Sequence, residues 1–193
     1  ITALHDAMVN RRGRLVMLRD ITEHAQHLQV SAATATVGNA LIGALGTPEL
    51  LPELCRTIVR VFHCDMSRTF LFNAAQQNFR IVAGDEIPAE ERAQLRALCE
   101  PFALVEPVLE RLRTEGTIFV DGSAPDQEGG AALSRKFGVQ SAFYLPLKRG
   151  GELVGVLSVA YYRALSPAEM AQYMQIARSV AHLASLAFVV DTS

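Results

Sequence analysis

At 193 residues, half of them apolar, the chain can build one sizeable core with an appendage more readily than two full domains. A net charge of −2 and a pI near 6.2 give no field that would gather nucleic acid or an anionic membrane surface, so neither is expected as a partner. The longest apolar runs, such as 183–190, fall far short of the roughly 20 residues that cross a bilayer, and no signal peptide precedes them; a cytoplasmic domain without membrane insertion is expected.

In chain order, Gly13 reads as a turn, residues 14–19 as a short strand, and Asp20 as the N-cap of a helix, with Glu23 completing a capping box. From residue 21 to 45, apolar or small residues return every seven positions at Ile21, Leu28, Ala35 and Ile42, with Ser31, Gly38 and Leu45 between them. That is a weak heptad, whose small seam residues allow close helix approach but bury little area, so pairing with a second chain should be marginal and easily shifted. The same segment also reads as an amphipathic helix lying on the core, and the two readings are compatible. Gly46-Thr47-Pro48-Glu49 breaks the helix and restarts it, with Thr47 as cap and Pro48 at the first helical position; Leu50, Leu51, Leu54, Ile58, Val61 and Phe62 then form a core-facing stripe.

Residues 64–72 read as a strand whose alternation sets Ser67, Thr69 and Leu71 on one face and Arg68, Phe70 and Phe72 on the other. A turn-rich 73–78 leads to a second antiparallel strand, 79–83, ended by Gly84-Asp85. Residues 90–99 are helical in composition, Pro101 interrupts, 105–114 form another helix stopped by Gly116, and 117–121 form a short strand. Residues 121–130 have the polar, glycine-rich composition of a mobile loop, and 131–137 form a short helix.

The clearest signal spans 140–170. Two strands rich in β-branched and aromatic residues, 140–148 and 152–161, flank Gly150-Gly151, which supplies the positive φ of a short hairpin turn. Ser166, Pro167 and Glu169 then read as N-cap, first helical residue and reciprocal capping partner. The helix that follows, 167–190, carries Met170, Tyr173, Met174, Ala177, Val180, Ala181, Ala184 and Phe188 at helical spacing. Together these elements give an α+β fold: an antiparallel sheet of five to six strands, long helices on one face, shorter helices and loops on the other.

With its Leu145-Pro146-Leu147 strand, glycine turn and Val154-Gly155-Val156-Leu157 strand before a last helix, and 64–72 in the place of a first strand, the chain resembles a GAF domain over residues 47–190. GAF domains are small-molecule-sensing modules of signalling proteins. Asp20-Ile21-Thr22-Glu23 is similar to the end of a PAS domain, so 1–20 is expected to be a PAS remnant too short for a ligand pocket and 21–46 a signalling linker helix. A start at Ile1 suggests a piece of a longer polypeptide. These resemblances imply a regulatory sensor module of a cytosolic bacterial protein, such as a histidine kinase or diguanylate cyclase. In it, an unknown small ligand would alter the 121–130 region and the sheet, and the sheet would bias terminal helices that pair in a homodimer. The pocket would lie between the sheet and the shorter helices. Its candidate lining residues are Ser67, Thr69, Phe79, Phe102, Val105, Phe119, Asp121, Ser123, Ser141, Phe143 and Tyr144, a mix of aromatic walls and a few polar groups suited to a small organic ligand.

Other chemistries fit less well. The Asn-Lys-x-x-x-Phe-x-x-x-Asp-Glu pattern of cyclic-nucleotide-binding GAF domains is missing, and His63-Cys64 reverses the Cys-His order of bilin attachment. His182 falls on the closing helix, and His5, His24 and His27 precede the domain, so neither covalent bilin nor haem is expected. Three cysteines, Cys55, Cys64 and Cys99, lack CxxC spacing, which argues for reduced thiols and against a disulfide framework or a metal site. The enzyme alternative is a GAF-like free methionine sulfoxide reductase, but Cys55 and Cys99 lie on apolar helical stripes and Cys64 lacks a neighbouring base, so no catalytic residue is assigned. The remaining alternative is a ligandless dimerisation and relay domain built on the two long helices.

Overall fold

The computed structural model describes residues 2–5, 12–15, 22–73, 78–84, 102–124 and 130–191. Strands β1 (Thr2–His5) and β2 (Arg12–Leu15) pair antiparallel as a separate two-stranded sheet. Gly13 is not a turn, as the sequence suggested, but a ladder residue opposite Leu4. The rest of the expected strand beyond Leu15, the Asp20 cap and the 90–99 helix lie outside the described residues.

There follow α1 (Thr22–Ala44), α2 (Leu50–Phe62), β3 (Met66–Asn73), β4 (Asn78–Gly84), α3 (Phe102–Thr114), β5 (Ile118–Asp121), α4 (Ala131–Lys136), β6 (Ser141–Arg149), β7 (Glu152–Tyr161) and α5 (Pro167–Asp191). The five later strands form one antiparallel sheet in the order β4-β3-β7-β6-β5.

Local chemistry accounts for most of the boundaries. Gly150 and Gly151 take φ of 58° and 89°, both in the left-handed region, and close the β6–β7 hairpin between Arg149 and Glu152. At the start of α5 the Ser166 amide donates to Glu169 Oε2 at 2.8 Å while the Glu169 amide donates to Ser166 Oγ at 3.3 Å, the reciprocal box read from the sequence. Thr47 behaves differently from expectation. Its hydroxyl donates back to the Ala44 carbonyl at 2.8 Å, so it closes the end of α1, and α2 begins only at Leu50.

Pro146 sits inside β6, but β5 pairs only with residues as far as Tyr144, so the missing amide falls where the outer edge of β6 is open. Ser185 of α5 covers that edge: its hydroxyl accepts the Lys148 amide at 3.0 Å and lies 3.3 Å from the Pro146 carbonyl.

The long helices lie on one face of the sheet. Leu54, Ile58 and Phe62 from α2, and Ile176, Ala177 and Val180 from α5, pack with Leu145, Leu157, Val159 and Tyr161 of the sheet. Tyr161 donates its buried hydroxyl to the Phe62 carbonyl at 2.9 Å. Helix α1 rests chiefly on α2 and α5. Gln172 donates to Gln29 at 2.8 Å, and Gly38 lies beside Leu183, so α1 and α5 run parallel. The stripe that α1 buries is Val37, Leu41 and Ala44, with Val30 and Ala33 partly covered. The heptad positions mostly point elsewhere: Leu28 and Ile42 are 58% and 70% exposed, and Ser31 and Ala35 are exposed beside them.

The opposite face carries α3 and α4. Val108, Leu109 and Leu112 pack with Ile118, Val120, Val139, Tyr144, Val156 and Ala160. The sheet is thus one layer between two apolar fillings.

Candidate functional site

Register decides which side chains meet between the sheet and α3. Met66 pairs with Ala160, Arg68 with Ser158 and Phe70 with Val156; on the other side of β7, Ala160 pairs with Ala142 and Ser158 with Tyr144. Side chains directly opposite one another in a sheet share a face. The floor beneath α3 is therefore ruled in rows, with one polar row, Arg68–Ser158–Tyr144, between apolar rows containing Met66 and Ala160 on one side and Phe70 and Val156 on the other.

Above this floor lies a cavity of about 80 Å³, walled by Phe79, Val105, Val108, Leu109, Ser134, Phe137 and Val139. Its lining is overwhelmingly apolar. Arg68, only 5% exposed, is the single charged side chain among the described lining residues. Ser158 donates to the Arg68 carbonyl at 3.3 Å, tying the polar row together. Burial pushes the Tyr144 phenol above its ordinary range, so it remains a neutral donor. Ser134, 2% exposed, stands beside that phenol without reaching hydrogen-bond geometry, and its Oγ has no partner among the described residues.

Of the sequence-expected site residues, Phe79, Val105 and Tyr144 come together in this wall. Ser67 and Thr69 are buried on the opposite face of β3, where Thr69 Oγ1 meets Cys55 Sγ of α2 at 3.3 Å. Phe143 and Phe119 also pack on the helical side, their ring centroids 5.1 Å apart, and Ser141 Oγ accepts the Leu165 amide at 3.1 Å there. Asp121 and Ser123 form an exposed turn: Asp121 Oδ1 accepts both the amide and the hydroxyl of Ser123, at 2.8 and 2.6 Å, and these bonds lower the Asp121 pKa. The side chain of Phe102 lies outside the described residues. Arg68, Phe70, Ser134, Phe137, Val156 and Ser158 were not anticipated. The available signal was Arg68 itself, a cation in the middle of an apolar strand and on the same face as Phe70.

The described thiols sit apart from this cavity, within the core under the long helices. Cys64 is buried and its thiol is pushed up to about 12 by desolvation, the reverse of what a thiolate nucleophile needs. Cys55 is buried against Thr69, and Cys99 lies outside the described residues. No group of metal-binding side chains occurs among the described residues, and no described helix is long and apolar enough to cross a membrane.

A five-stranded antiparallel sheet with long terminal helices on one face and shorter helices on the other is the architecture of a GAF domain. The GAF domain family model matches residues 44–189, and the chain belongs to that family. Solved structures agree on the fold. The phycoerythrobilin-bound GAF domain of a cyanobacterial phytochrome is 14% identical, with a TM-score of 0.52 over 90% of this chain and 98% of that one. The chromophore-binding domain of an unusual bacteriophytochrome from R. palustris is 15% identical, with a TM-score of 0.55 over 88% of this chain and 63% of its own. An A. aeolicus GAF domain in an inactive state is 11% identical, with a TM-score of 0.56 over 84% and 97%. No curated protein matches the sequence significantly.

Proposed function

We propose that this chain is the regulatory sensor module of a cytosolic bacterial signalling protein, such as a histidine kinase or diguanylate cyclase, and that it is itself non-catalytic. In this reading a small molecule occupies the cavity under α3, 47–190 is the sensing domain, 21–46 the linker helix, and 1–20, with the β1–β2 hairpin, the remnant of a PAS domain.

The observation that carries it is the thinness of the sheet between cavity and helices. Tyr144 lines the cavity, and its chain neighbour Phe143 packs edge-on against Tyr173 of α5, with centroids 6.4 Å apart; Tyr173 in turn stacks on Tyr161 at 5.8 Å. A shift of the β6 backbone on ligand binding is felt within one residue by α5, and through α5 by the parallel α1. For this to transmit a signal, the ligand must bind the two helix arrangements with different affinity. The exposed Leu28, Ala35 and Ile42 offer α1 a seam for a second copy of the chain, which would make the helices a two-fold bundle.

Native mass spectrometry of the purified protein tests both parts, with a retained small molecule and a dimer mass as the expected results. Release of that molecule should then change hydrogen exchange in α1 and α5; unchanged exchange in both helices refutes the relay. The size of the cavity favours a second reading, a ligandless dimerisation and relay domain, because about 80 Å³ is less than the roughly 150 Å³ of a cavity known to hold benzene. A dimer that retains nothing, and binds nothing at the cavity, would select it.

A further inference from the structure

We propose that the cavity selects a compact organic anion: a carboxylate on a short branched body of a few carbons, held by Arg68. This rests on reading the cavity as the ligand site and adds the chemical class of its occupant. The polar row and Ser134 offer donors: the Arg68 guanidinium, the Tyr144 phenol and the buried Ser134 hydroxyl, which is unpartnered among the described residues. No described lining residue carries a carboxylate.

A guanidinium presents a fork that matches a carboxylate in two parallel hydrogen bonds, and such charge-assisted pairs are strongest where water is excluded. Arg68 already has a contact in this structure, so a ligand carboxylate joins or exchanges with that contact; it does not fill a void. The remaining walls, Phe70, Phe79, Phe137 and Val156, accept only an apolar body. Cation and apolar wall together disfavour both neutral polar metabolites and long flexible acids. The cavity volume limits the body to a few carbons.

The test is calorimetric binding of propionate and isobutyrate, each against its amide, to the whole chain. Expected is a preference of about tenfold or more for at least one acid over its amide in the unaltered protein, the size of one charge-assisted contact. Arg68→Met should abolish the preference while keeping the amide's affinity, and Arg68→Lys should keep part of it. Should Arg68→Met fail to fold, the acid-to-amide ratio in the unaltered protein and the Arg68→Lys variant decide. Ala160→Leu, which fills the cavity from its floor, should abolish binding of both members of each pair. Amides that bind as well as acids, with binding still lost in Ala160→Leu, overturn the anion and leave the cavity as a ligand site. An acid preference that survives Arg68→Met also overturns the assignment. Binding indifferent to Ala160→Leu, or no binding of any probe at millimolar concentration, overturns both this inference and the ligand-site reading beneath it.

Discussion

Replacing Gly155 with alanine should destabilise the domain, although propensity alone gives the opposite sign. Glycine inside a strand costs about 0.5–1 kcal/mol relative to alanine, so on backbone entropy Gly155→Ala would be stabilising. The structure argues otherwise. A Cβ at 155 would stand 2.6 Å from Leu71 Cδ2, 2.8 Å from the Phe70 carbonyl oxygen and 3.3 Å from Leu147 Cδ1. The leucines can rotate, but the Phe70 carbonyl belongs to β3, which is hydrogen-bonded to β4 and β7, so relief requires the sheet to move. Overpacking of this kind costs about 1–3 kcal/mol, and in a chain of this length each kcal/mol is worth roughly 2–4 °C, so Tm should fall by roughly 2–12 °C. Gly43→Ala is the control. Gly43 is an exposed residue of α1 with nothing within 4 Å of its would-be Cβ, and helix propensity alone should raise Tm by about 2–4 °C. Paired thermal melts followed by circular dichroism read the two signs directly. A Tm that rises in both variants would show that Gly155 is not crowded, and with it that the β3–β7 register described above is wrong.

Tyr161→Phe removes the hydroxyl that donates to the Phe62 carbonyl at the end of α2, and should cost about 1–2 kcal/mol by urea denaturation; a loss within error would mean that water replaces the bond. Glu169 is held at about 2 by the Arg163 guanidinium first and then by Ser166, against an ordinary value of 4.5. A carboxylate with a depressed folded-state pKa stabilises above its unfolded value and loses that contribution as pH falls through the folded one. Tm should therefore drop more steeply between pH 4.5 and about 2 in the unaltered protein than in Glu169→Gln, and parallel curves would contradict the capping-box account. With Cys99→Ser in the background, Cys55 and Cys64 should label with a disulfide reagent at pH 8 only as fast as the domain opens. At a pKa of about 12, Cys64 is thiolate in only about one molecule in ten thousand at that pH. Rapid labelling of Cys64 would revive thiol chemistry. Introducing glutamate at Leu28 and Ile42 together should lower the dimer fraction with little change in the monomer's Tm, because neither side chain is in the core.

What the sequence disclosed depended on how local each signal was. Gly150-Gly151 and the Ser166–Glu169 box are complete within a few residues, because a positive φ and a reciprocal cap need no tertiary partner, and the hairpin and α5 were accordingly legible. The alternation of β3 was also legible: Ser67 and Thr69 on one face, Arg68 and Phe70 on the other. Which face meets the cavity was not, because it depends on which side α2 covers. Choosing the small polar residues by ligand chemistry pointed to Ser67 and Thr69, which are buried on the helical face, Thr69 against Cys55 and Ser67 with its hydroxyl unpartnered among the described residues. Thr47 misled for a related reason. A threonine before proline reads as an N-cap, yet its hydroxyl satisfies the carbonyl of the helix already ended. Period-seven spacing in α1 picked out Leu28, Ala35 and Ile42, while the surface that meets α2 and α5 follows Val30, Ala33, Val37 and Leu41; a helix with apolar groups on two sides carries two periodicities, and the sequence does not say which one the fold uses.

The most direct measurement is methyl-detected NMR of the whole chain titrated with whichever acid, propionate or isobutyrate, binds more tightly. Expected are saturable shifts at Val108, Val139 and Val156 around the cavity, with matching curves at Val37 and Leu41 of α1 and Val180 of α5 across the sheet. Shifts confined to exposed methyls, or cavity shifts with the helical methyls unmoved at saturation, would contradict a sensor whose ligand speaks to its terminal helices.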